Sequence, residues 1–190
     1  MRGRIIFMTE ERSMKAALCK ILPKLAPEFR EHEHWIILSH EGKADLEKSF
    51  PRKVKQWHEP GAQFVILRDN DGGDCRALKR RLLSMLPENA GSCLVRIVCQ
   101  ELESWLIGDA DALAAAYPEA GKRDALKRLA KREPDLFTNA SELIQQFTGT
   151  VAKALRAEQV AIHMEPARNR STSFQVFLRG VEELRQRTNA

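Results

Sequence analysis

Two aspartates separated by one residue are the side chains best suited to chemistry. Asp69 and Asp71 follow the apolar run Phe64–Leu67 and precede the pair Gly72 and Gly73. Four consecutive apolar residues predict a strand buried on both faces, and open α/β sheets bind ligands at the carboxyl ends of such strands. Carboxylates this close repel unless a cation or protons neutralise them, and hard oxygen ligands suit Mg²⁺ or Mn²⁺. The alternative is a solvated turn, which Asp, Asn and Gly also favour.

Two further acidic pairs follow predicted strands. Glu10 and Glu11 come directly after the first apolar run, and Glu101 and Glu103 come just after the apolar run Cys93–Cys99. If the strands are parallel and the first lies beside the third, these pairs meet the segment 69–71, called here the Asp loop. The alternative is that each pair opens a helix, where the helix dipole favours carboxylates.

Four residues near these acids complete this candidate site. Asp74 is either an auxiliary acid or the N-cap of the helix that follows Gly73. Arg68 either pairs with the aspartates of the Asp loop or faces a phosphate. His40 and Lys43 follow the second predicted strand, so they can reach the same edge of the sheet.

A polar loop precedes the last predicted helix and carries two arginines. Arg168 and Arg170 are candidates for clamping a phosphate of a nucleic acid, because guanidinium groups bind phosphate through paired hydrogen bonds. The alternative is that the loop only caps the helix, through Ser171 or Ser173.

Apolar periodicity predicts strands and helices in strict alternation up to Cys99, and only helices after it. This pattern predicts an α/β fold with a mostly parallel four-stranded sheet flanked by helices. We expect an α/β domain at 1–110 and a helical C-terminal region at 111–190 packed on it. One of the predicted helices, Ala44–Trp57, is expected to be interrupted by Pro51.

The charge balance and the apolar runs limit the class of partner. Lys and Arg number 31 against 26 Asp and Glu, a net charge of +5, which is compatible with a nucleic-acid partner without indicating one. No run approaches the roughly 20 apolar residues of a membrane-spanning helix. We therefore expect a cytoplasmic protein with no membrane partner.

The cysteines and one missing motif argue against a zinc site and against one route of nucleotide hydrolysis. Cys19, Cys75, Cys93 and Cys99 contain no closely spaced pair, so we expect small core residues in a reducing compartment and no zinc site. No glycine-rich loop ending in Lys and Ser or Thr is present, which argues against nucleotide hydrolysis by that route.

A strand that ends in Glu10, followed later by a strand that ends in Asp69 and Asp71, resembles the Toprim signature of topoisomerases, primases and related nucleases. More closely, the chain resembles the DUF4276 family, which is assigned to the Toprim-like group. The matching segments keep their order along the chain: Thr9–Met14, His40–Leu46, Phe64–Cys75, Arg96–Trp105 with Gly108 and Asp109, and Arg168–Phe174.

The resemblance implies a Mg²⁺- or Mn²⁺-dependent site for nuclease-like cleavage of DNA or RNA. Glu10 would be the general acid/base, and Asp69 and Asp71 the metal ligands. It also implies an ATPase partner, as in ATPase-coupled phage defence or repair systems. Two other functions remain open: a catalytically silent Toprim-like subunit that binds or regulates an ATPase, and a small-molecule phosphotransfer enzyme.

The chain departs from the Toprim pattern at two positions. Glu11 stands where Toprim proteins usually have Gly, and Gly73 stands where many have a third acid. Tyr117 is the only tyrosine and lies far from any motif, which argues against chemistry with a tyrosine nucleophile.

Overall fold

Four parallel strands form the sheet of the computed structural model, which describes residues 3–88, 90–119, 123–149 and 152–189. They are β1 (Ile5–Thr9), β2 (Trp35–Ser39), β3 (Gln63–Asp69) and β4 (Ser92–Val98). The order is β2-β1-β3-β4, and every neighbouring pair is parallel. The first strand therefore lies beside the third, which is the condition that the sequence left open.

Helices connect the strands, and all the regular secondary structure described after β4 is helical. They are α1 (Arg12–Ile21), α2 (Lys43–Lys55), α3 (Cys75–Ser84), α4 (Leu102–Ile107), α5 (Ala110–Ala116), α6 (Arg123–Ala130), α7 (Ala140–Thr148), α8 (Lys153–His163) and α9 (Thr172–Asn189). Short 3-10 turns lie at Leu22–Lys24 and Pro134–Leu136. Within the described ranges, none of the helices combines the length and the apolar character needed to cross a membrane.

The expected interruption of the second helix does not occur. Pro51 lies inside α2, which continues to Lys55. Proline removes one backbone hydrogen bond from a helix interior. Leu46, Phe50 and Val54 are buried against the sheet on one face of α2, and this packing stabilises the helix on both sides of the proline.

Alternate residues of the strands pack against different helices. On one face, Ile6 and Met8 of β1 share a core with α2 and α3. On the other face, Ile5 and Phe7 share a larger core with α1, α4 and the later helices, including α8 and α9. The later helices thus pack on one face of the sheet. One of them, α8, begins beside the carboxyl ends of the strands, where Lys153 lies near Glu11.

Helix α8 lies along α1 and connects the two ends of this face. Lys20 of α1 pairs with Glu158 at 2.9 Å. At one end of α8, Lys153 lies 3.8 Å from Glu11, and at the other Lys24 Nζ donates to the carbonyl of Met164 at 2.6 Å. The 11 residues of α8 span about 16 Å, so its two ends belong to different parts of the surface.

Candidate active site

The side chain of Glu10 meets Asp69 at the carboxyl edge of the sheet. Thr9 is the register partner of Leu67, so both chains leave the sheet at the same level. The backbone amide of Asp69 donates to Glu10 Oε2 at 3.2 Å. Glu10 is 7% exposed and Asp69 is 4% exposed. Two acids from distant parts of the sequence are therefore buried together.

Burial makes this pair costly to ionise. Burial raises the pKa of Asp69 well above its ordinary value, and the charges of Glu10 and Glu103 raise it further. Burial also raises the pKa of Glu10, although the guanidinium of Arg68 opposes that shift. Asp69 Oδ1 is buried without a hydrogen-bond partner. This buried oxygen is therefore neutralised either by a proton on Asp69 or by a cation bound to the ionised carboxylate.

Asp71 lies near this pair but faces away from it. Its backbone has a left-handed φ of 49°, and its amide donates to the carbonyl of Gln100 at 3.2 Å. Its carboxylate pairs with Lys43 Nζ at 3.1 Å and lies 3.6 Å from the guanidinium of Arg68. Asp71 is therefore ion-paired, while Asp69 Oδ1 is not hydrogen-bonded.

The side chain of Arg68 contacts the Asp loop and a carboxylate of α2. Its buried guanidinium donates to the carbonyl of Asp69, and its Nε lies 3.0 Å from Glu47. Arg81 of α3 also donates to Glu47, and these hydrogen bonds are the main reason that the pKa of Glu47 is lowered. Of the two roles that the sequence left open for Arg68, the structure displays the pairing with carboxylates.

Helix α4 brings further acids to the same edge. Glu103 is buried, and its Oε1 accepts from Arg156 at 3.2 Å and from the hydroxyl of Ser141 at 3.3 Å. Glu101 accepts from the backbone amide of Ser141 at 2.9 Å, and burial raises its pKa. The effect of Glu103 on Asp69 shows that these two carboxylates are close enough to repel.

Lys153 lies among these acids, and sequence reasoning missed it. Burial lowers the pKa of Lys153, but the charges of Glu11, Glu103, Glu101 and Asp69 together raise it above its ordinary value. Its position at the start of α8 carries no local signal, because only the packing of α8 on α1 brings it here. Lys153, Glu10 and Glu11 line an open cleft of about 430 Å³.

His40 and Asp74 have structural hydrogen bonds at this edge. His40 Nδ1 donates to the carbonyl of Thr9 at 2.9 Å, and Nε2 accepts from Lys53 Nζ at 2.7 Å. Burial lowers the pKa of His40, which favours this neutral imidazole, and its side chain also lines the cleft. Asp74 caps α3 by accepting from the amides of Arg76 and Ala77.

The structure does not bring the two later arginines to these acids. Arg168 pairs with buried Asp109 at 2.8 and 3.0 Å and donates to the carbonyl of His163, at the end of α8 opposite Lys153. Arg170 donates to the carbonyl of Arg132 at 3.3 Å. The capping role expected for their loop is present.

The side chain of Ser171 caps the last helix, and the side chain of Ser173 contacts α4 instead. Ser171 Oγ accepts from the amide of Phe174 at 3.1 Å and caps α9. Ser173 Oγ accepts from the indole of Trp105 at 2.8 Å.

A divalent ion fits the oxygen donors of this site. Within the described ranges, no three His, Cys, Asp or Glu side chains are arranged to hold a metal as they stand. Mg²⁺, however, keeps several waters and binds proteins through one or two carboxylates. Asp69 Oδ1, which is buried and has no hydrogen-bond partner, is one oxygen donor of this kind, and Asp71 is the second carboxylate of the Asp loop.

The parallel sheet, its flanking helices and the acidic edge define a Toprim-like α/β protein. The C-terminal region of the Burkholderia pseudomallei OLD protein has a similar fold, with a TM-score of 0.60 and 18% identity over 99% of this chain and 100% of that chain. The C-terminal region of the Xanthomonas campestris pv. campestris OLD protein is also similar, with a TM-score of 0.53 and 16% identity over 99% and 98%.

The sequence matches the family described as Domain of unknown function (DUF4276) over residues 9–182, so the chain belongs to that family. A comparison with curated proteins gives no match.

Proposed function

We propose that this chain is a Mg²⁺- or Mn²⁺-dependent nuclease-like enzyme that hydrolyses phosphodiester bonds of DNA or RNA. The observation that carries the proposal is the buried contact of Glu10 with the amide of Asp69, beside an Asp69 Oδ1 that lacks a hydrogen-bond partner. Such a pair is unfavourable for stability alone, and a bound cation supplies the missing neutralisation.

Each acid has a distinct role in this proposal. Asp69 and Asp71 would hold the ion, which would supply the positive charge that polarises a phosphoryl oxygen and activates water. Glu10 would transfer the proton, because burial raises its pKa above its ordinary value and so favours a carboxyl group that can carry a proton. Glu11, Glu101 and Glu103 add negative charge around Asp69.

Besides the buried Arg68, two lysines bring positive charge to this site. Lys153 lies in the cleft and is held protonated by the surrounding carboxylates, so it faces a bound phosphate as a positive charge. Lys43 pairs with Asp71 in the structure, and this ion pair would have to open for Asp71 to bind an ion. Arg168 and Arg170 have no place in this proposal.

A partner ATPase belongs to the proposal. Support comes from the family resemblance and from the similar OLD structures, each of which is the C-terminal region of a longer protein. An ATPase-coupled system of phage defence or repair is the setting that we infer.

Cleavage assays test the proposal directly. The purified chain is incubated with Mg²⁺ or Mn²⁺ and supercoiled plasmid, linear duplex, single-stranded DNA or RNA, with and without a candidate ATPase. We expect metal-dependent cleavage that Asp69→Ala abolishes and that Asp111→Ala, an exposed acid on α5, retains. Equal cleavage by wild type and Asp69→Ala would remove the site from the reaction.

A catalytically silent subunit is the second candidate. The observation that favours it is the ion pair of Asp71 with Lys43, which occupies one of the two proposed ligands. This function predicts binding to an ATPase without metal uptake. Isothermal titration with Mn²⁺ separates the two, because uptake lost in Asp69→Ala supports the nuclease and absent uptake supports the silent subunit.

A further inference from the structure

Two cysteine thiols meet beside the Asp loop. Cys75 is the first residue of α3, and Cys99 follows directly after β4. Their Sγ atoms lie 3.3 Å apart, although the residues are 24 positions apart in the sequence. Both side chains are only partly buried, so a small oxidant reaches them.

Asn70 connects this pair to the Asp loop. Its Nδ2 donates to Cys75 Sγ at 3.1 Å and to the carbonyl of Gly73 at 2.6 Å. Its Oδ1 accepts from the backbone amide of Gln100, the residue after Cys99. The side chain between Asp69 and Asp71 is thus bonded to both segments that carry the thiols.

We propose that Cys75 and Cys99 are a site of reversible disulfide formation, which fastens the Asp loop to the end of β4. A disulfide bond is about 2.0 Å long, so the sulfurs need to approach by roughly 1.3 Å from their 3.3 Å separation. This site does not depend on the proposed nuclease function.

Hydrogen peroxide is the oxidant in this step. Burial raises the pKa of Cys99 to about 12. Cys75, whose sulfur accepts a hydrogen bond from Asn70 Nδ2, reacts first. The Cys75 thiolate attacks one peroxide oxygen, the O–O bond breaks, and the released hydroxide takes a proton to become water, leaving a sulfenic acid.

Cys99 completes the reaction. Its sulfur attacks the Cys75 sulfur, the S–S bond forms, and the S–O bond breaks. The departing hydroxide takes the Cys99 proton and leaves as a second water. Two thiols have lost two electrons and two protons, and one peroxide has been reduced to two waters. A dithiol reductant reverses the change by thiol–disulfide exchange.

Peptide mapping tests the site without any activity assay. The reduced chain is treated with hydrogen peroxide, its free thiols are alkylated, and it is digested without reductant. We expect a cross-linked product that joins the peptides of Cys75 and Cys99. Its mass should be two hydrogen atoms below the sum of the two reduced peptides, and dithiothreitol should separate them. Cys75→Ser and Cys99→Ser should lose it, while Cys93→Ser, a control whose own thiol lies 3.5 Å from the carbonyl of Ala90, should keep it.

Hydrogen exchange tests the effect on the loop. After oxidation, the backbone amides at 70–74 should exchange several-fold more slowly in wild type. In Cys99→Ser, oxidation should leave their exchange rates unchanged. Free alkylation of both thiols after peroxide treatment would overturn the disulfide. A linked peptide with unchanged exchange at 70–74 would overturn its effect on the Asp loop.

Discussion

The backbone amide of Asp69 donates to Glu10 Oε2 at 3.2 Å, across 59 residues of sequence. This contact places two buried carboxylates next to each other at the end of neighbouring parallel strands. The hydrogen bond favours an ionised Glu10, but the proximity of the two carboxylates lowers the stability of the metal-free protein, because each charge disfavours the other. That conflict leads to measurable consequences.

Asp69→Asn should stabilise the metal-free protein at neutral pH. The amide keeps the size of the side chain and removes the buried charge that Glu10 and Glu103 repel. We expect the free energy of unfolding to rise by about 1–2 kcal/mol, as is common when a functional site is neutralised. Urea unfolding in the presence of a chelator measures it, with Asp111→Asn as the exposed control. A loss of stability would contradict this electrostatic account.

The advantage of Asp69→Asn should grow with pH. The pKa of Asp69 is raised in the folded state, so the folded protein keeps this proton to a higher pH than the unfolded chain, whose Asp pKa is about 3.9. The stabilisation from that proton is complete below about pH 4 and is lost as pH rises through the folded pKa. Urea unfolding of both proteins from acid to neutral pH should give diverging curves, and parallel curves would refute this assignment.

Lys153→Met should weaken cleavage and spare metal uptake. Its ammonium lies among the acids of the cleft, where a preorganised positive charge stabilises a phosphoryl transition state. We expect a loss of about 10²–10³ in kcat, the scale of removing one such charge-stabilising group. Lys20→Met is the matched control. Lys20 lies on α1, outside the residues that line the cleft, and pairs with Glu158 of α8, the helix that carries Lys153. Equal kcat values for the two variants would exclude Lys153.

Arg156→Met should destabilise the fold strongly. Arg156 is 1% exposed and donates to Glu103, so its loss leaves a buried carboxylate without that cation. We expect the free energy of unfolding to fall by about 3–5 kcal/mol. Lys20→Met breaks a partly exposed ion pair between α1 and α8 and should cost much less, because solvent screens such a pair. Urea unfolding of both variants makes the comparison, which similar losses would contradict.

Asp74→Ala should lower stability without changing metal uptake. The carboxylate accepts from the amides of Arg76 and Ala77, and loss of such a cap costs about 1 kcal/mol. Titration with Mn²⁺ should match wild type. Loss of uptake in this variant would return Asp74 to the auxiliary metal role that the sequence left open.

The sequence by itself predicted the four strands, their mostly parallel arrangement and the acids that follow them, but it did not predict the strand order. Apolar runs such as Phe64–Leu67 mark interior strands, and parallel strands carry their carboxyl ends to one edge, so the meeting of Glu10 and Asp69 follows once β1 lies beside β3. Caps were also predictable, because the contacts of Asp74 and Ser171 reach only two or three residues along the chain.

Only the tertiary structure decided which other side chains lie beside these acids. The meetings of Lys153 with Glu11, Arg156 with Glu103, and Cys75 with Cys99 leave no periodic or local pattern in the sequence. Each depends on how a later element packs against an earlier one. The direction of α8 along α1 is one such choice, and it is set by the summed burial of many apolar side chains.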